Sequence, residues 1–520
     1  METNRIQPVR GMSDVLPDTC AAYRAVETEL HQCFEQFGYR PINVPLVEHT
    51  ELYLRKSGEA IVTRMYDFVY QNRRLCLRPE MTASIIRAYV EHLEEQTPLP
   101  VRLYYGGSVF RYERPQRERY RQFSQVGVEL LGSAGPMADA EVIWTACRGL
   151  NQLGLKNYRV VIGHIGVLSK FLEGLQLGSR LQNLLLASTD LLRSENGRQK
   201  VAQTLQEIYP DYRPTDGSST ATPEQEGQLD KLVTLFQHLN DADAKAAILE
   251  LLGSLNVDLK GSRSPEEIAS RLLEKIHRQN RIPLIDKALE FMTELSALEG
   301  EPFEVLEKGK ELLPRYGIDT APLEELRSIV EVLKLYDLDW SQVSLDLGLS
   351  RGLQYYTGTI FEIHHASLGG ERQICGGGRY DELVTTLGGN RSTPATGFSF
   401  GLERVCVALE SEGHFNVGSH LRFDAFVIVL DAAQHGYAIS VAEQLRNQGL
   451  KIELAIRDRT VSKNFQYAEK QSFPFVIVVG ADEQAQSAVT LRTKAEQEGQ
   501  RFTVDEAAQQ ILRFRTEAVL

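Results

Sequence analysis

No cysteine pair of the C-x-x-C kind occurs in this 520-residue chain. Its six cysteines (Cys20, Cys33, Cys76, Cys147, Cys375 and Cys406) are scattered with no histidine cluster beside them. That argues against a disulfide framework and against a zinc ribbon, so no metal site is expected and a reducing, cytoplasmic setting fits. No apolar run reaches the roughly 18 to 20 residues a membrane span needs, and the opening METNRIQPVRGMSDVLPD lacks the apolar core of a signal peptide. A soluble protein with no membrane partner is expected. Positive charge is scarce as well, with 57 Lys and Arg against 70 Asp and Glu and a formal net charge of -13. Such a chain is not drawn wholesale to nucleic acid, so a nucleic-acid partner has to meet local basic surfaces. Repeats and low-complexity tracts are absent too.

What is present is apolar residue enough, at 42%, for about two to four cores in a chain of this length. Helical spacing from Tyr23 to Phe37 is followed by Gly38 and then by Tyr39 to Val47, whose prolines exclude a helix. Residues 101 to 113 and 121 to 132 read as two strands of a long antiparallel hairpin joined by the polar loop Arg114 to Tyr120, with a helix from about Met137 to Leu153. From 170 to 340 the spacing is repeatedly helical (Leu181 to Leu192, Leu229 to Leu239, Ala246 to Leu255). Capped starts stand at Thr222-Pro-Glu-Gln225 and Ser264-Pro-Glu-Glu267, and a polar stretch runs from Pro210 to Gly227. Strand character returns at 343 to 363, a glycine-dense turn follows at 369 to 378, and a helix is expected from about Gly397 to Leu409. Beyond a linker at 411 to 420, three short apolar strands (Phe423 to Leu430, Lys451 to Ile456, Phe475 to Gly480) alternate with helical segments 435 to 449 and 460 to 471. This pattern is that of a small α/β domain with a largely parallel sheet.

The densest chemical signal is Phe110-Arg-Tyr-Glu-Arg-Pro-Gln-Arg-Glu-Arg-Tyr-Arg-Gln-Phe123, with five arginines between Arg111 and Arg121. Guanidinium groups gathered around one hairpin loop suit a polyanion, since each binds phosphate oxygens bidentately. A charged hairpin laced with Arg–Glu pairs is the plainer reading of such a run. Strand alternation places Gln125, Gly127 and Glu129 on one face and Val126, Val128 and Leu130 on the other, so one face packs while the other is free to bind. Three further runs are unremarkable in isolation. Leu77-Arg-Pro-Glu-Met-Thr-Ala83 reads as a helix start and Ser350-Arg-Gly-Leu-Gln-Tyr-Tyr-Thr-Gly-Thr-Ile-Phe-Glu362 as a core strand. Cys375-Gly-Gly-Gly-Arg-Tyr-Asp-Glu-Leu383 reads as a tight turn.

In their order along the chain these runs resemble the histidyl-tRNA synthetases, members of the class II aminoacyl-tRNA synthetases. The arginine run is similar to motif 2 in the form FR(H/Y)ERPQxGRYRQFxQxGxE, with Glu118 where the family has glycine. The run at 350 to 362 resembles RGLDYYTGxxFE, with Gln354 where the family has aspartate. The run at 375 resembles GGGRYDxL, and Ala395 to Arg404 resembles motif 3. Arg10-Gly-Met-Ser-Asp-Val-Leu-Pro17 and Pro45, in a motif 1-like segment, extend the likeness to the start and imply a homodimer. The likeness covers residues 1 to 165 and 340 to 520, about two thirds of the chain.

The resemblance implies an α+β fold: an antiparallel sheet flanked by helices, with a helical insertion and a C-terminal α/β anticodon-binding-like domain. Its division would be 1–169 and 341–410 for the two parts of the catalytic core, 170–340 for the insertion and 421–520 for the last domain. Arg111 would contact the ATP α-phosphate, Glu113 the adenine amino group and Arg119 the outer phosphates, while Phe123 stacks on adenine and Arg404 binds phosphate. Glu80, Thr82 and Gln125 would hold the α-amino group of histidine. Glu129 with Tyr356, beside Tyr355, would take its imidazole, and Arg351 would neutralise the α-phosphate as the adenylate forms. ATP as substrate, Mg2+, histidine and tRNA(His) follow as ligands and partners. In the last domain, whose net charge over 421 to 520 is -1, Arg457, Arg459, Lys463 and Lys470 form a candidate phosphate-facing patch or a solvated helix face.

A second reading within the same lineage is a non-catalytic, histidine-binding regulatory subunit whose partner is the ATP phosphoribosyltransferase catalytic subunit. Val161-Ile-Gly-His-Ile-Gly-Val167, Gln354 and the large 170–340 span favour it. The complete motif 2 arginines, Arg351 and the C-terminal domain favour the ligase. A synthetase-like protein acting on a different amino acid or acceptor is the third.

Overall fold

A computed structural model of the protein describes residues 6–55, 63–112, 120–208, 246–250, 282–350, 355–369, 372–414, 423–457, 459–493 and 499–517. The expected helix starts at Thr222 and Ser264, the helix at Leu229 to Leu239, the polar stretch Pro210 to Gly227 and most of the linker lie outside these residues. Backbone contacts divide the chain into two compact units, one of residues 1–14 and 26–415 and one of residues 15–25 and 416–520.

Among the described residues the first unit is built on a nine-stranded sheet in the order β1-β5-β6-β12-β11-β10-β7-β9-β8. These are β1 (Arg40–Pro41), β5 (Val101–Phe110), β6 (Gln122–Leu131), β7 (Tyr158–His164), β8 (Glu299–Gly300), β9 (Val343–Asp346), β10 (Thr359–His365), β11 (Gln373–Arg379) and β12 (Ala395–Gly401). A small sheet beside it joins β2 (Val47–His49), β4 (Arg73–Leu77) and β3 (Tyr66–Tyr70). The hairpin read from the arginine run is present: β5 and β6 pair over their whole length, from Val101 opposite Leu131 to Phe110 opposite Gln122. Apart from β8, the described residues between the two halves of the sheet are largely helical. Phe171 of the helix Ile165–Gly174 meets Phe291 at 4.2 Å between ring centroids, and Phe291 meets Tyr316 at 4.9 Å.

Three local expectations are corrected. The glycine-dense run is no turn: residues 373–379 form β11, a buried central strand between β10 and β12. Its glycines answer a demand for space. A Cβ at Gly377 would lie 2.4 Å from the carbonyl of Gly397 and 2.6 Å from Phe361. The helix expected from Gly397 starts only at Leu402, because residues 395–401 are β12, the strand beside β6. The stretch from 343 to 363 holds two strands, Val343–Asp346 and the start of Thr359–His365, with residues 347–350 and 355–358 outside the sheet. In addition, β8 pairs with β9, and the helix Ala321–Leu333 buries Leu326, Ile329 and Val330 in this unit, so residues 299–333 return to the sheet from within the span read as insertion.

A buried ion pair ties the helix Pro136–Gln152 beneath these strands. Arg379 donates from Nε to Asp139 at 3.0 Å and from Nη1 to Asp381 at 3.0 Å, and Asp381 in turn accepts from the Ala395 amide at 3.1 Å. The side chains of Arg379 and Asp139 are 4% and 2% exposed.

Among the described residues the second unit has a five-stranded sheet, β14-β13-β15-β16-β17, formed by Ile452–Leu454, Ala425–Val429, Phe475–Val479, Ala488–Thr493 and Gln500–Thr503. The first three strands are parallel, as the sequence pattern indicates, and the last two add an antiparallel edge. The helices His435–Asn447 and Val504–Glu517 cover one face through Val441, Leu445, Ala507 and Ile511, while Ala468 and Phe473 pack with Phe426 on the other.

Asp139→Ala should lower the stability of the first unit by about 3–5 kcal/mol, because it takes the buried carboxylate from a buried guanidinium and leaves it the more exposed Asp381. A shift of the denaturant midpoint monitored on tryptophan fluorescence measures it, and an unchanged midpoint contradicts the tie.

Candidate active site

A cavity of about 970 Å³ opens over the sheet, lined among others by Glu80, Thr82, Arg111, Phe123, Gln125, Glu129, Tyr355, Tyr356, Tyr380, Glu403 and Arg404. Its floor is deep because the strands beneath carry glycine. A Cβ at Gly397 would stand 1.9 Å from Glu129 Oε2, and one at Gly127 would stand 2.1 Å from the Phe398 carbonyl.

At one end the carboxylate of Glu129, 1% exposed, gathers three hydroxyl donors. Thr82 Oγ1 donates to Oε1 at 2.8 Å, Tyr105 donates to the same oxygen at 3.2 Å, and Tyr380 donates to Oε2 at short range. Burial pushes the Glu129 carboxyl up to about 8. The Tyr380 and Thr82 hydroxyls pull the other way and nearby Glu80 adds to the rise. Tyr380 also packs edge-on against Tyr355 at 5.6 Å, and Tyr355 meets Tyr356 at 4.8 Å, so an aromatic wall stands beside the carboxylate.

Glu80 lies at the start of the helix Thr82–His92. Its Oε1 accepts the Ala83 amide at 3.0 Å, whereas Oε2 is buried with no hydrogen-bond partner among the described residues. Burial raises its carboxyl too, opposed by the Ala83 bond and by the Arg111 charge. Gln125 is fixed at both ends, accepting from the Met81 amide at 3.2 Å and donating to Ser399 Oγ at 3.1 Å.

The other end lies where β6 begins. The Arg111 guanidinium sits 5.3 Å from the Phe123 ring and donates from Nε to the Pro79 carbonyl at 2.8 Å. Glu403 grips the Ser124 amide with both oxygens, at 2.9 and 3.1 Å, and its carboxyl is raised by burial. Arg404 donates to the Gln373 carbonyl at 2.9 Å.

The cavity therefore unites Glu80, Thr82, Gln125, Glu129, Tyr355, Tyr356, Arg111, Phe123 and Arg404 from runs spread over more than three hundred residues. Glu113, Arg119 and Arg351 lie outside the described residues, as do the two departures at Glu118 and Gln354. Sequence reasoning missed Tyr105, Tyr380, Ser399 and Glu403. Tyr380 stands inside the quoted glycine run. Tyr105 is visible only through its register, opposite Gly127, whose missing side chain leaves room for the phenol. His164, in the run 161–167, is 4% exposed and serves the fold. Its Nδ1 accepts the Gly166 amide at 3.1 Å, and its Nε2 lies 3.2 Å from Glu325.

A glycine-floored antiparallel sheet with an arginine-bearing hairpin at one end of its cavity and a buried, hydroxyl-held carboxylate at the other is the core of a class II aminoacyl-tRNA synthetase. A family model described as histidyl-tRNA synthetase matches residues 11–264 and 265–405, and one described as anticodon binding domain matches 424–513. The histidine–tRNA ligase of Methanocaldococcus jannaschii is 31% identical over 504 residues, which cover 96% of this chain and 98% of that one. The histidine–tRNA ligase of Thermococcus kodakarensis is 31% identical over 512 residues, 98% of each chain. The solved histidyl-tRNA synthetase of S. aureus superposes with a TM-score of 0.62 at 24% identity, over 98% of this chain and 100% of that chain, and shows the fold. The chain belongs to the histidyl-tRNA synthetase family.

Because the native Glu129 carboxyl titrates near 8 and the unfolded one near 4.5, the folded chain holds a proton between these values that the unfolded chain has lost. The stability this contributes is fully present below the unfolded value and is lost as pH rises to the folded one. Glu129→Gln should make the fall of the thermal midpoint between roughly pH 5 and 8 shallower, leaving a residual slope from Glu80, which is raised as well. Equal slopes in the two proteins contradict the assignment.

Proposed function

We infer that the chain is a histidine–tRNA ligase, activating histidine with ATP to histidyl-adenylate and transferring it to tRNA(His). The observation that carries the reading is the Glu129 carboxylate, held by three hydroxyls beside an aromatic wall, with a Glu80 oxygen buried nearby that has no hydrogen-bond partner among the described residues. An acceptor fixed this way suits an imidazole N–H, and a second suits an α-ammonium. Every amino acid brings the α-ammonium, so selection falls to the ring end, where a side chain without an N–H offers the buried Glu129 carboxyl no partner in place of the water it excludes.

In this reading Glu80, Thr82 and Gln125 orient the α-amino group, and Glu129 with Tyr356, backed by Tyr355, takes the ring. Phe123 stacks on adenine, Glu113 reads its amino group, Arg119 and Arg404 bind the outer phosphates, and Arg111 with Arg351 faces the α-phosphate. The histidine carboxylate then attacks the α-phosphorus and pyrophosphate leaves. Fixed guanidinium groups stabilise the charge that develops on the phosphoryl oxygens at that step. A terminal ribose hydroxyl of the tRNA next attacks the acyl carbon and AMP departs.

Mg2+ accompanies the nucleotide. An ion of this kind would be carried largely by phosphate oxygens and water, with carboxylates that line the cavity, Glu362 among them, as its protein ligands. When bound, the ion supplies charge neutralisation to the phosphates.

The domain reading is a catalytic core in two parts, an insertion between them and an anticodon-binding domain from 421. Arg457, Arg459, Lys463 and Lys470 offer the last of these a basic edge, and Arg459 lies 4.3 Å over the Tyr467 ring. Homodimer formation is supported by apolar side chains left exposed on and around the small sheet: Val69 is 71% exposed and Tyr70 62%, with Phe68, Leu46, Val47 and Leu54 also exposed. A cytoplasmic setting fits six unpaired cysteines, five of them buried. The non-catalytic regulatory reading is not favoured, since the likeness to histidine–tRNA ligases runs through the C-terminal domain and covers nearly all of both chains.

Purified protein should exchange pyrophosphate into ATP only when histidine is present. Arg111→Ala should lower kcat by about 10²–10³ with the fold intact. Histidine binding without exchange by the unsubstituted chain would overturn the ligase reading in favour of the regulatory one.

A further inference from the structure

Tyr355 and Tyr356, which wall the histidine end, stand shortly before β10, and residues 347–350 follow β9. The residues at the end of β9 are gripped from outside the sheet. Asp346, 2% exposed at the end of β9, accepts on one oxygen both a short hydrogen bond from Arg193 Nη2 and, at 2.9 Å, the amide of Gly348. Arg193 directly follows the short helix Thr189–Leu192 and precedes the helix Gly197–Ile208, 153 residues away in sequence from Asp346. Gly348 is wedged in place: a Cβ there would lie 2.5 Å from Ser296 Cα and 2.7 Å from the Arg193 guanidinium. One residue further, Leu349 packs with Val161, Ile165 and Ile360. Leu186, from the helix Ser179–Ala187, closes that cluster together with Tyr356 itself. Arg193, Asp346, Leu349, Tyr355 and Tyr356 all line the same cavity.

We propose that Arg193 and Leu186 are positioning residues for the amino-acid end of the site, acting through Asp346, Gly348 and Leu349 to hold Tyr356 against the substrate ring. The helices at 179–208 thereby form part of the amino-acid pocket, and a displacement of those helices changes histidine affinity before it changes the nucleotide end. The physical basis is a buried carboxylate that needs its guanidinium partner: with Arg193 gone, Asp346 keeps only the Gly348 amide, and the turn that it orders is free to move. The proposal rests on the histidine reading above, and its test separates the two.

The experiment measures binding of histidine, and separately of a non-hydrolysable ATP analogue, by calorimetry for Arg193→Ala, Arg193→Lys and Leu186→Ala, with a thermal melt on each. Arg193→Ala and Leu186→Ala should weaken histidine binding by about three- to thirtyfold and leave the ATP analogue unchanged. Arg193→Lys should recover most of the loss, since it keeps a charge within reach of Asp346. Leu186→Ala carries the test if Arg193→Ala does not fold, because it removes no charge partner. Folded variants with unchanged histidine affinity, or with equal losses for histidine and nucleotide, would overturn the proposal. Failure of the unsubstituted chain to bind histidine would overturn the amino-acid reading itself.

Discussion

A carboxylate buried in the middle of a β-sheet is the constraint on which the first unit depends. Glu129 is 1% exposed, and a charge there is tolerable only with donors around it. Those donors come from distant parts of the chain: Thr82 at a helix start, Tyr105 on β5 and Tyr380 just beyond β11. Each has to be delivered by its own element. The hairpin register brings Tyr105 opposite Gly127, and the Arg379–Asp139–Asp381 network pins the end of β11 next to Tyr380. The space for the carboxylate comes from Gly397, where any side chain would strike it. Fold and site are thus one problem, since the strands are glycine-rich where the ligand has to approach.

The same feature explains the electrostatic layout of the cavity. The acidic groups at the histidine end, Glu80 and Glu129, are raised by burial, and a cationic amino acid arriving beside them favours their charged, accepting form. The Arg111 and Arg404 guanidiniums line the same cavity toward the nucleotide end. A zwitterion entering between the two sets is oriented with its ammonium toward the carboxylates and its own carboxylate toward the arginines, the geometry in which attack on an α-phosphorus takes place.

Much of this was legible in the chain. The long hairpin, the alternation that aims Gln125 and Glu129 into one face, and the parallel strands of the last domain were all readable, because period-two patterning and turn residues act locally. The glycine run at 375–378 was misread, since glycine serves both turns and close packing, and only the neighbours Phe361 and Phe398 decide which. The start of the helix after Gly401 was misplaced because small residues suit a crowded strand as well as a helix entry. Tyr105 and the Leu186 and Arg193 contacts were invisible because they exist only across long sequence separations. The return of residues 299–333 to the sheet was hidden by the helical spacing around a two-residue strand.

The central claim is that a hydrogen-bonding pocket, rather than shape alone, selects the amino acid. Its most direct test is the ratio of kcat/KM in pyrophosphate exchange for histidine and for β-(2-thienyl)alanine, which keeps a five-membered aromatic ring but has no ring nitrogen. A site organised around Glu129 should reject the analogue by about 10⁴ or more. A ratio below about 10², the range that a merely apolar pocket of the right size provides, would contradict the account.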